Sequence, residues 1–255
     1  MNILFLIGSP RKKSSASCYF ARILKFFLTL GSFGKIKVEF IEIPPKAAPD
    51  IMAKLAAADK VVIFTPLYCD GMPSHVISFL QQAEIFCRQN PCSFDFYAVC
   101  NNGFIEGRQN EACLNQYQCF CQKTGVNWCG GMGIGGGEML HFLAKVYPFV
   151  FLFFIVLFVI GLFKGYADKF ALSQLAEEIG VYLFFTWHCY FSLARFAAKI
   201  ANGKTLKKNI YSRAFVPAII FMFFASIFMC LGSLLNGKII FTLLGKDKTP
   251  APKQI

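Results

Sequence analysis

The sequence predicts an α/β domain with a doubly wound parallel sheet, followed by a hydrophobic helical extension. Over residues 1–140, segments with strand character alternate strictly with segments of helical spacing, and the connections between them are short. This alternation is typical of a parallel sheet with helices on both faces. Beyond residue 140, long uncharged runs replace it. We therefore expect one domain over 1–140 and a membrane-associated helical region over 141–255.

The first strand is predicted over residues 3–7, within the opening stretch MNILFLIGSPRKKSSAS. Every position of this run is apolar, as in a parallel strand that helices cover on both faces. A secretory signal would place its cations before a longer apolar core. Here Arg11, Lys12 and Lys13 follow the run, so we expect no signal peptide.

The later elements follow from apolar spacing and from the residues that stop each run. Gly31 and Gly34 end the first helix, and Pro44 and Pro45 stop the second strand. The predicted helices span 16–30, 50–58, 72–88 and 106–124. The remaining predicted strands span 37–43, 60–66, 94–100 and 126–133.

Three loops at the carboxyl ends of these strands have the composition of a binding site, and parallel sheets bind ligands there. The first loop, 8–17, combines serines and cations at a helix start, which suits a phosphate. It lacks both GxxxxGK[ST] and GxGxxG, which favours a monophosphate. The second loop, 65–74, and the third, 101–107, contain glycines and one aromatic residue each. Together the loops suit a planar ring on a phosphorylated tail, most simply FMN, although the first loop alone is equally typical of a capped helix with a solvated charge run.

These loops resemble those of the NAD(P)H-dependent FMN reductase family of flavodoxin-like proteins. GSPRKKSSAS is similar to the family's first phosphate loop, and TPLYCDGMPSHVISFLQQ is similar to its PLYxxGMPxxLKxFxDR stretch. NNGFIEGRQNEACLNQYQCFCQKTGVNWCGGMGIGGGE resembles its GGFxEG, helix and GxxxGGE segments. The three segments have the family's order and spacing over residues 1–138. The resemblance implies a flavodoxin-like five-stranded sheet with strand order 2-1-3-4-5.

The resemblance also implies which residues bind FMN. The phosphate would be held, together with loop amides, by Ser9, Arg11, Ser15 and Ser17. The isoalloxazine edge and the ribityl chain would be lined by Pro66, Leu67, Tyr68, Gly71 and Met72. The opposite wall would be formed by Asn102, Gly103, Phe104 and Gly107. No catalytic side chain is implied, because the flavin carries the chemistry.

The activity that the resemblance implies is an oxidoreductase reaction. NADPH or NADH would reduce bound FMN, which would pass reducing equivalents to a small-molecule acceptor such as a quinone, a nitro compound or a flavin. The alternative is a membrane-tethered FMN electron carrier that does not oxidise NAD(P)H itself. A third hypothesis, a degenerate fold kept as a membrane scaffold, predicts a protein without flavin.

The C-terminal region departs from the family in its apolar runs. Residues 148–163 and 214–235 are candidate membrane spans; the second is about 33 Å long as a helix and exceeds the roughly 30 Å of a bilayer core, whereas the first spans only about 24 Å. Residues 179–198 form a third apolar run, which would cover the sheet, lie on the membrane or cross it. A soluble protein with an unusually apolar tail is the alternative.

Most of the excess positive charge lies in the same region. Residues 1–140 contain 13 Lys and Arg against 10 Asp and Glu, whereas residues 141–255 contain 13 against 4. Cations that flank apolar runs without a base-stacking motif favour anionic lipid over nucleic acid. The cations between residues 199 and 213 precede the last candidate span, and the positive-inside tendency places them in the cytoplasm. The flavin domain would also face the cytoplasm, because NAD(P)H and FMN are cytosolic. We therefore expect a cell-membrane protein with three spans, or with one span plus interfacial helices. A homodimer is a further candidate assembly.

The eleven cysteines give no indication of a metal site. They contain no CxxC pair and no zinc-type spacing, so we expect reduced thiols. Related iron–sulfur flavoproteins carry four clustered cysteines after the second strand, whereas IEIPPKAAPDIMAKL contains none. We therefore expect neither a bound metal nor an iron–sulfur cluster.

Overall fold

The computed structural model describes residues 1–32, 36–44, 49–68, 71–90, 92–164 and 169–235. The chain forms two compact units, Met1–Phe215 and Val216–Ile255. The described part of the second unit contains one helix, Ala218–Leu235 (α7). The candidate span 214–235 is therefore helical from Ala218 onward.

A six-stranded parallel sheet forms the centre of the first unit. Its strands are Asn2–Ile7 (β1), Lys37–Glu42 (β2), Lys60–Pro66 (β3), Asp95–Asn101 (β4), Asn127–Ile134 (β5) and Ile210–Ser212 (β6). The strand order is β2-β1-β3-β4-β5-β6, and every pairing is parallel. This confirms the predicted parallel sheet and the order 2-1-3-4-5 for its first five strands. The sixth strand was not predicted, because three residues are too few to show a pattern.

Both faces of the sheet are covered by helices, which explains why the central strands are apolar at every position. The helices are Ala16–Gly31 (α1), Pro49–Ala56 (α2), Ser74–Gln89 (α3), Glu111–Thr124 (α4), Gly137–Phe163 (α5) and Lys169–Ala201 (α6). Alternate residues of β1 point to opposite faces: Leu4 and Leu6 pack with α3 and α4, whereas Ile3 and Phe5 pack with α1 and α6.

Helix α6 covers the sheet with its C-terminal half only. Leu193, Phe196 and Ile200 are buried in the cluster that also contains the inner face of α1. Earlier in the helix, apolar side chains such as Ile179 and Leu183 are exposed. The candidate span 179–198 is thus divided between an exposed segment and a segment that packs on the sheet.

Helix α5 is long, apolar and largely exposed. It contains 27 residues and continues through Pro148. An 18-residue stretch of the helix has a mean hydropathy of 2.8, and only 6% of that stretch is buried. Among the described residues it is the one helix that is long and apolar enough to cross a membrane, judged by length and composition only. Its first turns pack on the domain, since Leu140 and His141 are buried. The division at residue 140 was drawn from composition, whereas the first compact unit extends to Phe215.

The Lys60 side chain attaches α6 to the sheet. Its ammonium group donates a hydrogen bond to the carbonyl of Ile200 at 2.7 Å and lies 3.6 Å from the Asp95 carboxylate, with only 7% of the side chain exposed. The Ile200 carbonyl is in the last turn of α6, where backbone carbonyls lack helical partners and the helix dipole favours a cation.

Replacing Lys60 with methionine should therefore destabilise the domain. The Lys60→Met variant loses a buried charged donor, so we expect the free energy of unfolding to fall by about 1–3 kcal/mol. The matched control is Lys54→Met, which removes an exposed ion pair with Glu39 and should cost less than about 1 kcal/mol. Urea unfolding of the full chain in detergent, followed by far-UV circular dichroism, measures the free energy of unfolding of both variants. Equal losses in the two variants would show that the Lys60 contacts do not hold α6 on the sheet.

Candidate functional site

The structure brings all thirteen predicted site residues to the edge at which the parallel strands end, which we call the carboxyl edge. The first loop follows β1, the second follows β3 and the third follows β4, and these strands are neighbours in the sheet. A fourth segment, 135–138, follows β5 at the same edge. The three loops that the sequence singled out are therefore adjacent.

In the first loop, the serine hydroxyls make internal hydrogen bonds. The Ser15 hydroxyl accepts a hydrogen bond from the Cys18 amide at 3.1 Å and so caps α1. The Ser17 hydroxyl is buried and donates to the Asn101 side chain at 2.8 Å. These two serines hold the loop and the helix start in place, while Ser9 is buried at the beginning of the loop.

The backbone of the first loop turns sharply at Lys12. Its φ of 51° lies in the left-handed region, which is uncommon for a long side chain. The Lys12 amide donates to the Ser9 carbonyl at 3.0 Å, and the Ser15 hydroxyl donates to the Lys12 carbonyl at 2.5 Å. The side chains of Arg11, Lys12 and Lys13 are exposed.

In the second loop, the backbones of Tyr68 and Gly71 are joined by hydrogen bonds. Tyr68 and Gly71 exchange two backbone hydrogen bonds of 2.8 and 3.0 Å, and the Leu67 amide donates to the carbonyl of Asn101 at 2.8 Å. Pro66 and Met72 are buried, whereas the Tyr68 side chain is 43% exposed. Among the described residues, a Cβ atom on Gly71 would meet only the Tyr68 carbonyl, at 3.9 Å, so this part of the protein leaves room beside Gly71.

The third loop is shaped by Asn102. Its side-chain oxygen accepts a hydrogen bond from the Phe104 amide at 3.1 Å, and its side-chain nitrogen donates to the Glu106 carbonyl at 3.0 Å. The Phe104 ring is 56% exposed, and a Cβ atom on Gly103 would have no neighbour within 4 Å in the part of the chain that the structure describes. The loop therefore presents an aromatic ring and open space at its tip.

Gly107, in contrast, is tightly packed. A Cβ atom there would lie 2.3 Å from the carbonyl oxygen of Ser212 and 2.4 Å from that of Gly133. The hydrogen side chain of Gly107 thus allows the third loop to lie directly on β5 and β6. This contact gives Gly107 a part in positioning the loop.

The fourth segment was matched as GxxxGGE in the sequence, without a predicted site residue. A Cβ atom on Gly135 would lie 2.1 Å from the Ile105 carbonyl, and Gly136 has a φ of 66°. Glu138, in the first turn of α5, forms an ion pair of 3.1 Å with Arg11 of the first loop. The acidic residue directly after three glycines is the one signal that could have marked this segment as part of the edge.

Behind the Arg11–Glu138 pair lies His141. It is 4.0 Å from the Glu138 carboxylate, and its ring stacks on Tyr19 at a centroid distance of 5.5 Å. Burial, with Lys145 and Arg11 nearby, lowers the pKa of His141 below its ordinary value of 6.5, against an opposing effect of Glu138. The imidazole is therefore neutral near pH 7.

A buried network of thiols and hydroxyls lies beneath the second and third loops. Thr65 forms hydrogen bonds with the Tyr117 hydroxyl at 3.0 Å and with the Cys100 thiol at 3.5 Å, and the Cys100 thiol donates to Cys113 at 3.4 Å. Burial raises the pKa of Cys100 and Tyr117, so both remain protonated at neutral pH. The ten described cysteines are unpaired, and the described residues contain no group of three or more side chains that could hold a metal ion.

Comparison with protein families gives one match. Residues 1–95 match the family model described as NADPH-dependent FMN reductase. This confirms the predicted resemblance for that segment, which includes the first and second loops but not the third. No curated protein matches the chain.

Several solved structures are similar to the chain. An NAD(P)H:quinone oxidoreductase from Methanothermobacter marburgensis has a TM-score of 0.43 at 13% identity, over 53% of this chain and 84% of that one. An azoreductase from Bacillus anthracis str. Sterne has a TM-score of 0.43 at 12% identity, over 80% and 99%. The Trp repressor binding protein from Bacillus subtilis has a TM-score of 0.41 at 15% identity, over 51% and 81%. Similarities at these TM-scores are not evidence about activity.

The packing at Gly107 generates a prediction. In Gly107→Ala the new methyl group meets two backbone carbonyls, so the third loop must move and stability should fall by about 1–3 kcal/mol or more. Gly103→Ala is the matched control in the same loop, and it should change stability by less than about 0.5 kcal/mol because the site is open. Thermal unfolding of both variants measures this difference, and a Gly107→Ala protein as stable as Gly103→Ala would refute the packing role.

Proposed function

We propose that this chain is an FMN-dependent oxidoreductase that passes reducing equivalents from NADPH or NADH to a small-molecule acceptor. The observation that carries the proposal is the family match over residues 1–95, which places two of the three loops within a segment typical of NADPH-dependent FMN reductases. The acceptor we propose is a quinone, a nitro compound or a second flavin. When bound, FMN would accept a hydride from NAD(P)H and pass two electrons to the acceptor.

The residues at the carboxyl edge suit the isoalloxazine ring. The protein leaves open space beside Gly71 and Gly103, and the exposed rings of Tyr68 and Phe104 lie in the two loops that would form its walls. Buried Pro66 and Met72 and half-buried Leu67 would support the second loop against the ring. Asn102 and Gly107 would act by shaping the third loop.

The first loop suits the phosphate. Ser9, Arg11 and the amides at the start of α1 would contact it, because helix N-termini favour anions. Ser15 and Ser17 would maintain the loop through the hydrogen bonds described above. The Arg11–Glu138 pair is exposed on both sides, so releasing Arg11 to a phosphate would cost at most about 1 kcal/mol.

We also propose that the protein is associated with the cell membrane, with the flavin domain on the cytoplasmic side. The exposed apolar surface of α5 supports this, since Phe149 is 74% exposed and Phe163 is 88% exposed. A helix that exposes such residues on most of its circumference is unfavourable in water. NAD(P)H and FMN would be available to the domain in the cytoplasm.

Turnover with a water-soluble quinone tests the activity. Detergent-purified protein loaded with FMN should oxidise NADPH in the presence of menadione. Gly71→Val should abolish flavin binding and turnover, since its side chain would fill the space proposed for the ring. Gly31→Val is the control, because a Cβ atom there, at the end of α1, meets none of the described residues within 4 Å. A flavin that dithionite reduces but NADPH does not would refute the reductase activity and favour an electron carrier.

A second experiment tests the phosphate site. The double variant Ser9→Ala and Arg11→Gln removes a hydroxyl and a charged donor, each worth about 1.5–3 kcal/mol to a bound phosphate. FMN affinity should therefore fall at least about tenfold, while riboflavin, which lacks the phosphate, should bind almost unchanged. Ser17 is left intact because its hydroxyl donates to Asn101. Equal losses for FMN and riboflavin would show that the first loop does not hold the phosphate.

A further inference from the structure

The direction of α6 relative to the sheet follows from its attachment at Lys60. Lys60 is the first residue of β3, so Ile200 lies at the edge opposite the three loops, which we call the amino edge. The seven residues of β3 span about 23 Å, whereas the 18 residues from Ile200 back to Tyr182 span about 27 Å of helix. The segment of α6 before Tyr182 therefore lies beyond the carboxyl edge.

Hydrogen bonds between tyrosines give a second marker for this direction. The hydroxyl of Tyr19, in the first turn of α1, forms a hydrogen bond of 2.5 Å with that of Tyr190. The Tyr190 hydroxyl forms another, of 2.6 Å, with that of Tyr182. Because α1 begins at the carboxyl edge, α6 passes that edge near Tyr190.

Helix α5 leaves the domain at the same edge. The Gly137 amide donates to the Asn102 carbonyl at 2.8 Å, so the helix begins beside the third loop. Tyr147 and Phe151 then pack on the ring of Tyr182, at centroid distances of 4.9 and 6.0 Å. Helices α5 and α6 thus form a hairpin that projects from the carboxyl edge, next to the candidate site.

Most of the surface of α5 in this hairpin is apolar and exposed. Ten large apolar side chains between residues 149 and 163 are exposed. Residues at helical spacing, among them Tyr147, Phe151, Phe154 and Phe158, are less exposed and form the side that faces α6. A protein partner would cover one face of such a helix, whereas lipid surrounds it on every free side. The outer part of α6 carries Gln174, Glu177 and Glu178, and Glu178 forms a hydrogen bond with Tyr147 at the base of α5. The exposed residues of α5 between 149 and 163 contain no charged side chain, so α5 is the helix better suited to hydrocarbon.

We propose that the carboxyl edge faces the lipid bilayer, with α5 entering the lipid and Trp187 of α6 at the membrane–water interface. Trp187 is 47% exposed and lies at the level of this edge, three residues before Tyr190. Tryptophan is the residue type that favours the interface. The orientation rests on the direction of the two helices and on the exposed apolar surface of α5, and not on the proposed function. Its consequence, which rests on the proposed function, is that an acceptor dissolved in the bilayer reaches the three loops directly from the lipid.

The two tryptophans of the chain allow a matched test, because they lie at opposite edges. Trp128 is the second residue of β5, at the amino edge, and packs on Phe96 at a centroid distance of 6.2 Å. Trp128→Phe leaves only Trp187, and Trp187→Phe leaves only Trp128. Both full-length variants are reconstituted into phosphatidylcholine–phosphatidylglycerol vesicles in which the phosphatidylcholine carries bromine on its acyl chains near the headgroup.

Bromine quenches tryptophan fluorescence at short range. The emission of Trp187 should fall by about half or more, as expected for an interfacial residue, and that of Trp128 should remain nearly unchanged. Quenching of Trp128, or equal quenching of both, would overturn the orientation. Quenching of neither would also overturn it, since the hairpin would then be covered by protein, such as a second copy of the chain. If Trp128→Phe fails to fold, the difference in quenching between the unmodified protein and Trp187→Phe gives the quenching of Trp187.

The flavin absorbance of the same samples separates this proposal from the proposed function. Quenched Trp187 in a sample that binds FMN supports both. Quenched Trp187 in a sample that binds no FMN leaves the orientation intact and refutes the oxidoreductase.

Discussion

The backbone contact between the third loop and the end of β5 determines the shape of the carboxyl edge. Gly107 and Gly133 approach so closely that neither position has room for a Cβ atom, and Gly135 lies equally close to the backbone of Ile105. This packing places β6, the third loop and the start of α5 against one another. The third loop and the start of α5 therefore depend on the same contact.

Helix α6 runs along one face of the sheet from the amino edge to the carboxyl edge. Lys60 holds its C-terminal end at the amino edge, and Tyr19 meets Tyr190 at the opposite edge. Between these points the buried side chains of α6 form part of the core. Cys189 is the first residue of α6 in this core cluster, and the earlier residue Tyr182 packs on Tyr147 and Phe151 of α5 instead. One continuous helix thus packs on the sheet with its C-terminal half and on α5 with an earlier segment, which explains why composition alone could not locate the division of the chain.

The sequence contained most of the information about the strands and the loops, and little about how the loops are held. β3 begins and ends where its apolar run predicts, and the other predicted strands are displaced by at most one residue at either end. The predicted helix 106–124 begins instead with a short 3-10 helix, Gly107–Asn110, where the backbone of Gly107 is in close contact with Gly133 of β5. The pairing of Arg11 with Glu138 joins residues 127 positions apart, and no local pattern reports such a contact.

In the candidate site, the roles of single residues could not be predicted from the sequence either. Serine-rich composition indicates a phosphate loop, but composition cannot distinguish a hydroxyl that meets a ligand from one that caps a helix. In the structure Ser15 caps α1 and Ser17 donates to Asn101, which leaves Ser9 and the exposed Arg11 as the side chains suited to an anion. Because Glu138, the partner of Arg11, lies in the first turn of α5, the first loop and this helix are joined by an exposed ion pair. A ligand that drew Arg11 away would loosen that connection at little energetic cost.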